Sequence, residues 1–397
     1  MKKNRVIVIF YIIAFLEMIG ANLAHPITPT LIKNYNLPDY FFGVCFAGMA
    51  FTNFLFSPFW GKIGGRIGSY KVLFIGCLGY SVGQAMFAVF RSQEAILFAR
   101  CFSGFFVSGI SVCTLTYLVN QSKGESVGKN LALFASLTTI ASALGFLIGG
   151  FLGEWSLFGT FMVQVAVLAG SGVLFRFLLL NDAETKTLSE SNLTTKQIIK
   201  QSNPFQAFID GKVLLQGKTS LIFGATLASF IASVEYDQCF NYYIKDQFGF
   251  SSAYNGLLKA MVAIISLVVN MTICIYIMKR FSIKKASVVV LACCSVNMLA
   301  IVLAGNIKSF LAVNIFYFAL NAIFVPLLQA LMAEFTPRYG SSMVMGFYNA
   351  VKSMGMVLGA LLAGFAYEVT AKLPFVLSTV IFALGSILMF CNLQKKS

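Results

Sequence analysis

The chain has 397 residues, of which 58% are hydrophobic and only 11% charged, with a mean hydropathy of +0.83. That balance excludes a soluble globular domain, which needs polar helix faces that this sequence does not supply. The formal net charge of +15 does not indicate nucleic acid, because the basic residues lie in short tracts between apolar runs and form no amphipathic face.

The nine cysteines lie almost entirely inside apolar stretches, no Cys-x-x-Cys occurs, and there is a single histidine. Neither a metal site nor a bound cofactor is expected. With about 20 apolar residues required per crossing, the sequence predicts helices over 6–34, 39–60, 71–90, 95–119, 130–153, 159–180, 218–246, 253–277, 286–305, 308–334, 343–369 and 373–393. The start, Met1-Lys2-Lys3-Asn4-Arg5 before an apolar run, imitates a signal peptide but lacks a small-residue cleavage site, so it reads as the first span.

The predicted class is an all-α membrane protein of twelve transmembrane helices. An N-terminal six-helix bundle covers 1–180, a cytoplasmic connector 181–217, and a C-terminal six-helix bundle 218–397. Tracts on the side of the N-terminus, at 2–5, 62–71, 123–129, 279–285, 338 and 395–396, are rich in Lys and Arg. The opposite tracts hold only Lys33, Arg91, Lys245, Lys308 and Lys372. By the positive-inside rule both termini are expected in the cytoplasm, with the chain in the cell membrane.

An internal repeat supports two pseudo-symmetric halves. Leu144-Gly145-Phe146-Leu147-Ile148-Gly149-Gly150-Phe151-Leu152-Gly153-Glu154 aligns with Leu358-Gly359-Ala360-Leu361-Leu362-Ala363-Gly364-Phe365-Ala366-Tyr367-Glu368. Gly65-Arg66…Lys71 overlays Lys279-Arg280…Lys285 at the same offset.

In chain order, Glu17 comes first. It lies about 16 Å into the first span, near the midplane, where a charge costs about 2.5–3.5 kcal/mol on insertion scales. It reads either as a proton or cationic-substrate site or as a protonated carboxyl hydrogen-bonded between helices. His25, at the far end of that span, reads either as a titrating group or as a hydrogen-bonded helix-end histidine.

After the second span comes Gly61-Lys62-Ile63-Gly64-Gly65-Arg66-Ile67-Gly68-Ser69-Tyr70-Lys71. Here the chain resembles the major facilitator superfamily, whose loop between helices 2 and 3 reads Gly-x-x-x-Asp-Arg-x-Gly-Arg-Lys. Gly61, Arg66, Gly68 and a displaced Lys71 fit the pattern, and Gly65 stands where the family has Asp. The resemblance implies a tight turn and a charge latch between bundles; a plain basic turn is the other reading.

The resemblance extends along the chain. Arg100 in Arg100-Cys101-Phe102-Ser103-Gly104 is similar to the Arg-x-x-x-Gly element of proton-coupled members, which implies a role in holding or tuning a carboxylate; snorkelling is the alternative. Ala141 to Gly150, with Gly145, Gly149 and Gly150, is similar to the antiporter signature, although Ala141 and Phe146 replace its first Gly and its Pro. Small residues at that spacing permit close helix packing. Pro26-Ile27-Thr28-Pro29 resembles the helix end of the drug:proton antiporter branch, which includes bacterial multidrug, quinolone and tetracycline efflux proteins.

On the seventh span, Glu235 and Asp237 are about 200° apart around the helix, so at most one lines a cavity. The resemblance favours Asp237, since drug exporters often carry a cavity carboxylate on this helix just before an aromatic stretch and Asp237 precedes Phe240, Tyr242 and Tyr243. Lys352 lies about nine residues into the eleventh span and meets either a carboxylate or an anionic substrate. Lys259 and Arg176, nearer helix ends, read as snorkelling. Gly211 to Thr219 imitates a phosphate-binding loop but has five residues between its glycines instead of four, so no ATPase follows.

The expected function is proton-coupled export of small lipophilic or drug-like compounds by alternating access, with lipid and a small-molecule substrate as partners and no nucleic acid. The chain is expected to act as a monomer and not as an enzyme. A carrier of a polar solute such as a sugar, a lipid flippase and a non-transporting membrane sensor are the alternatives.

Overall fold

A computed structural model describes residues 2–122, 126–180, 203–339 and 341–394. Among these residues there is no strand, and twelve helices are long and apolar enough to cross a membrane. They are spans 1 to 12: Arg5–Asn22, Phe41–Ile67, Ser69–Val89, Gln93–Gln121, Leu133–Trp155, Leu157–Leu178, Thr219–Asp246, Ser252–Arg280, Ile283–Leu303, Ile307–Met332, Val344–Val369 and Leu373–Gln394. Helices suit this composition because hydrocarbon offers no partner for backbone N–H and C=O groups, which a helix satisfies within itself.

Polar side chains mark where several spans begin. The Ser92 hydroxyl accepts from the Ala95 N–H before span 4, and Ser156 accepts from Gly159 before span 6. Asn306 and Ser309 form a reciprocal capping box before span 10. Each cap satisfies a donor that the first helical turn leaves open.

Two boundaries differ from the sequence expectation. The helix expected over 6–34 ends at Asn22, turns through 23–27 and resumes as a short helix, Thr28–Asn34. Proline explains the break: Pro26 lacks an N–H and disfavours helical conformation in the residue before it, whereas Pro29 sits in the first turn of the short helix, where proline is tolerated. The helix expected to stop at 60 runs on to Ile67, so Gly61 to Arg66 are helical. The turn falls on Gly68 alone, whose φ of 96° is open to glycine and strained for other residues.

The chain forms two compact units. Unit 1 comprises Met1–Tyr35, Gly48–Pro204 and Ser251–Ala260. Its core gathers Phe10, Trp60, Tyr117, Phe134 and Phe175, with Phe10 stacked on Tyr117 at 5.2 Å and the Trp60 indole donating to the Phe105 carbonyl at 2.8 Å. Unit 2 comprises Asn36–Ala47, Phe205–Phe250 and Met261–Ser397. Its interior is an aromatic stack through Tyr236, Phe240, Tyr243, Phe310, Tyr317 and Phe375. Of the expected connector, 181–202 lies outside the described residues, and the remainder carries a short helix, Gln206–Asp210, and a 3-10 turn, Gly211–Leu215.

Candidate transport site

Unit 1 holds a buried polar group around span 1. Glu17 is 4% exposed, and Cys77 and Tyr80 of span 3 lie within its electrostatic reach. The Tyr80 hydroxyl donates to the Ala21 carbonyl at 3.5 Å, and the buried Gln84 lies one turn on along span 3. Gln164 of span 6 donates to the carbonyls of Gly20 and Ala21 at 3.0 and 3.3 Å. Those carbonyls belong to the last turn before the break, where the regular ladder stops and Gly20 takes a turn bond from the Leu23 N–H at 3.2 Å. The Arg100 guanidinium stands 3.7 Å over the Phe87 ring, and its Nη1 reaches the Met49 sulfur at 3.9 Å.

His25 sits in the break, exposed, edge-on to Phe146 at 5.7 Å. Lys259, read from sequence as snorkelling, is instead buried at 7% exposure within the same unit. Arg66 is exposed on the last turn of span 2, and Lys71 lies 5.7 Å over the Tyr70 ring, which Arg176 also approaches at 5.4 Å.

In unit 2, Glu235 is fully buried and accepts from the Ser378 hydroxyl of span 12 at 3.0 Å. Asp237, two residues on, is only half-buried. Between them Tyr236 turns to a third side, donating to Asn314 of span 10 and packing on Tyr317 at 4.1 Å. Spacing on one helix thus sends the consecutive side chains of Glu235 and Tyr236 to different neighbouring spans. Lys352 is half-buried, with its Nζ 5.5 Å over the Phe230 ring. Among the described residues no carboxylate lies within ion-pair distance of it.

The small residues of span 5 are contact points. A Cβ at Gly145 would fall 2.6 Å from the Ile19 carbonyl oxygen, and one at Gly150 would fall 3.0 Å from Gly256 Cα. At Gly149 an added Cβ would collide with the Leu23 backbone in the break of span 1. Nearby, Glu154 accepts from the Ala253 N–H at 2.8 Å, and Asn255 donates to the Pro26 carbonyl at 3.0 Å.

Unit 2 contains the counterpart by the internal repeat. A Cβ at Gly43 would fall 2.9 Å from Gly364 Cα, and Glu368 accepts from the Tyr40 N–H at 3.1 Å. Beside it Tyr242 donates to the Asp39 carboxylate, Phe42 stacks on Tyr242 at 4.6 Å, and Tyr367 donates to Asp246 at 2.8 Å.

Tyr80, Gln84, Gln164 and Asn314, which carry no charge, are buried here without having stood out from the apolar runs. Uncharged polar groups buried in the same runs were the available signal. Gln84 Oε1, Gln164 Oε1 and Glu235 Oε1 are buried without a hydrogen-bond partner, which marks polar groups kept in the interior at a cost.

Twelve apolar helices with carboxyls buried at mid-span define a polytopic integral membrane protein whose interior handles polar groups. Residues 10–322 match the Major Facilitator Superfamily, and the chain belongs to that family, one of transporters and not of enzymes. It is 22% identical to the quinolone resistance protein NorA of Staphylococcus aureus (strain MRSA252), over 99% of this chain and 98% of that one. It is also 22% identical to multidrug resistance protein 1 of Bacillus subtilis (strain 168), over 97% of this chain and 95% of that one.

Among solved structures, the nucleoside transporter NupG superposes with a TM-score of 0.75 at 12% identity, covering 99% of this chain and all of that one. The human organic anion transporter MFSD10 superposes at 0.66 with 16% identity, covering 98% and 99%. At these identities the structures establish the fold alone.

Proposed function

We propose that this transporter exports small lipophilic, drug-like compounds across the cell membrane in exchange for protons, by alternating access. The six-helix halves 1–180 and 218–397 are its moving bodies, joined by a cytoplasmic connector, and both termini face the cytoplasm, as the Lys and Arg bias supports. The whole-length likeness to two drug-resistance proteins supports the substrate class.

The observation that carries the coupling is a buried carboxyl in each unit, Glu17 and Glu235, neither with a cationic partner among the described residues. A charged carboxylate in hydrocarbon is costly, so such a group is neutral when water is excluded and gives up its proton when its surroundings hydrate. Alternating hydration would then move a proton each cycle. Arg100 in unit 1 and Asp237 in unit 2 each take part in handling protons or substrate within their own unit, His25 marks the far end of span 1, and Gly145, Gly149 and Gly150 with Gly61, Arg66, Gly68 and Lys71 govern the change of state.

The test is accumulation of ethidium in cells stripped of their own exporters. Expression should lower accumulation, and a protonophore should restore it; no effect across a broad panel of dyes and drugs overturns the reading. In proteoliposomes, Glu17→Gln should abolish uptake driven by an imposed pH gradient. Undiminished transport would remove Glu17 from the mechanism.

A further inference from the structure

Lys352 is a charged group within a span that proton exchange does not use. It lies eight residues past the start of span 11, which is about 12 Å along the helix axis. Its ammonium rests on an aromatic ring and does not extend to the end of the span, so snorkelling does not account for it. A structural ion pair does not account for it either. The nearest buried carboxylate on span 7, Glu235, is held by Ser378 of span 12.

What surrounds Lys352 has the character of a ligand seat. Phe230 of span 7 meets Tyr348 at 6.1 Å and Phe324 at 6.2 Å, so three spans bring three rings together beside one ammonium. One turn along span 7, Ser233 donates to Asn321 of span 10 at 3.1 Å, adding a neutral polar pair. The rings are buried, whereas Lys352 and Asn321 retain partial access. Gly355 allows the arrangement, since a Cβ there would stand 2.8 Å from Phe230 Cβ and push span 11 away from the ring.

A ring face offers a cation weak attraction, and an incoming carboxylate offers a charge-assisted hydrogen bond in a poorly hydrated setting. We infer that Lys352 binds the carboxylate of an aromatic amphiphile, whose flat body lies against the Phe230, Phe324 and Tyr348 cluster. The substrate range would then include zwitterions and organic carboxylates as well as cations. This deepens the export reading and rests on it for its physiological sense.

Rhodamine 110 and its methyl ester, rhodamine 123, share one aromatic body and differ in the free carboxylate. Binding of each to the purified full-length protein in detergent, followed by fluorescence anisotropy, isolates that group without any need for transport. Wild type should bind rhodamine 110, and Lys352→Met should weaken that binding by about tenfold or more with little change for rhodamine 123. Lys352→Arg, which keeps the charge, should retain most of the affinity.

Equal weakening of both dyes, unchanged rhodamine 110 binding in Lys352→Met, or wild-type binding of rhodamine 123 alone would each overturn the inference. Misfolding is controlled by gel filtration and by the Arg variant. Failure of the export reading would appear separately, as dye accumulation in cells that ignores the protonophore, whatever the binding result.

Discussion

Glu154 accepts a hydrogen bond from the backbone N–H of Ala253 at 2.8 Å, placing a carboxylate on the first turn of span 8. In unit 2, Glu368 stands in the same relation to Tyr40 at the start of span 2. Both glutamates are identical positions of the internal repeat, and a helix N-terminus favours an anion through its open N–H groups. Each replacement, Glu154→Ala or Glu368→Ala, is expected to cost about 0.5–2 kcal/mol. Glu154→Gln, which retains an acceptor, should cost less than either. Thermal unfolding of the purified variants checks the order.

Gly150 and Gly364 are also matched repeat positions, each facing another glycine across a backbone contact. A methyl group at either must displace backbone, for which no rotamer gives relief. Gly150→Ala and Gly364→Ala should each destabilise by about 1–3 kcal/mol and slow transport. Gly170→Ala is the control, since an added Cβ there meets nothing within 4 Å. A Gly150→Ala protein as stable and active as this control would contradict the packing argument.

Tyr242 and Asp39 form a phenol to carboxylate hydrogen bond inside unit 2. Bonds to a charged acceptor are worth about 1.5–3 kcal/mol, so the two variants Tyr242→Phe and Asp39→Asn should be non-additive. A double-mutant cycle on unfolding free energy should return a coupling of about 1 kcal/mol or more. Additive losses would mean that the pair contributes shape and not attraction.

Glu235 has one oxygen satisfied by Ser378 and one buried without a partner. Glu235→Gln preserves the volume and an acceptor for Ser378, so the protein should fold with near wild-type thermal stability while losing proton-driven transport. Glu235→Ala should instead cost about 2–5 kcal/mol through the cavity it leaves, while the Ser378 hydroxyl keeps the Ala232 carbonyl as its acceptor. Vesicle uptake together with unfolding separates the two effects.

Hydropathy alone made the twelve spans legible, because the length of an apolar run is a direct physical requirement of the bilayer, whereas the family was legible only through motifs such as Gly61 to Lys71. Boundaries were less legible where one residue decides them. The sequence motif around Gly61 to Lys71 reads as a loop, yet only Gly68 leaves the helix, since turn geometry is set by φ at a single position. Periodicity puts Glu235 and Asp237 on different faces, but it does not say which of them meets Ser378, because that depends on span 12 packing beside span 7. Lys259 was misjudged for a similar reason: depth along a helix is visible in sequence, whereas burial by a neighbouring chain segment is not.

Span 8 carries a consequence outside transport chemistry. It is the span least covered by protein, with only 11% of its apolar window buried, and it contains a π-helical turn at Asn270–Cys274 between two α-helical stretches. Met271, Ile273, Ile275 and Tyr276 around that turn are exposed. A helix of 29 residues is about 43 Å long at 1.5 Å per residue, more than the roughly 30 Å of hydrocarbon. Span 8 is therefore the element through which bilayer thickness acts most directly on this protein, by tilt and local lipid deformation. For purification, the choice of detergent chain length becomes a structural variable in its own right.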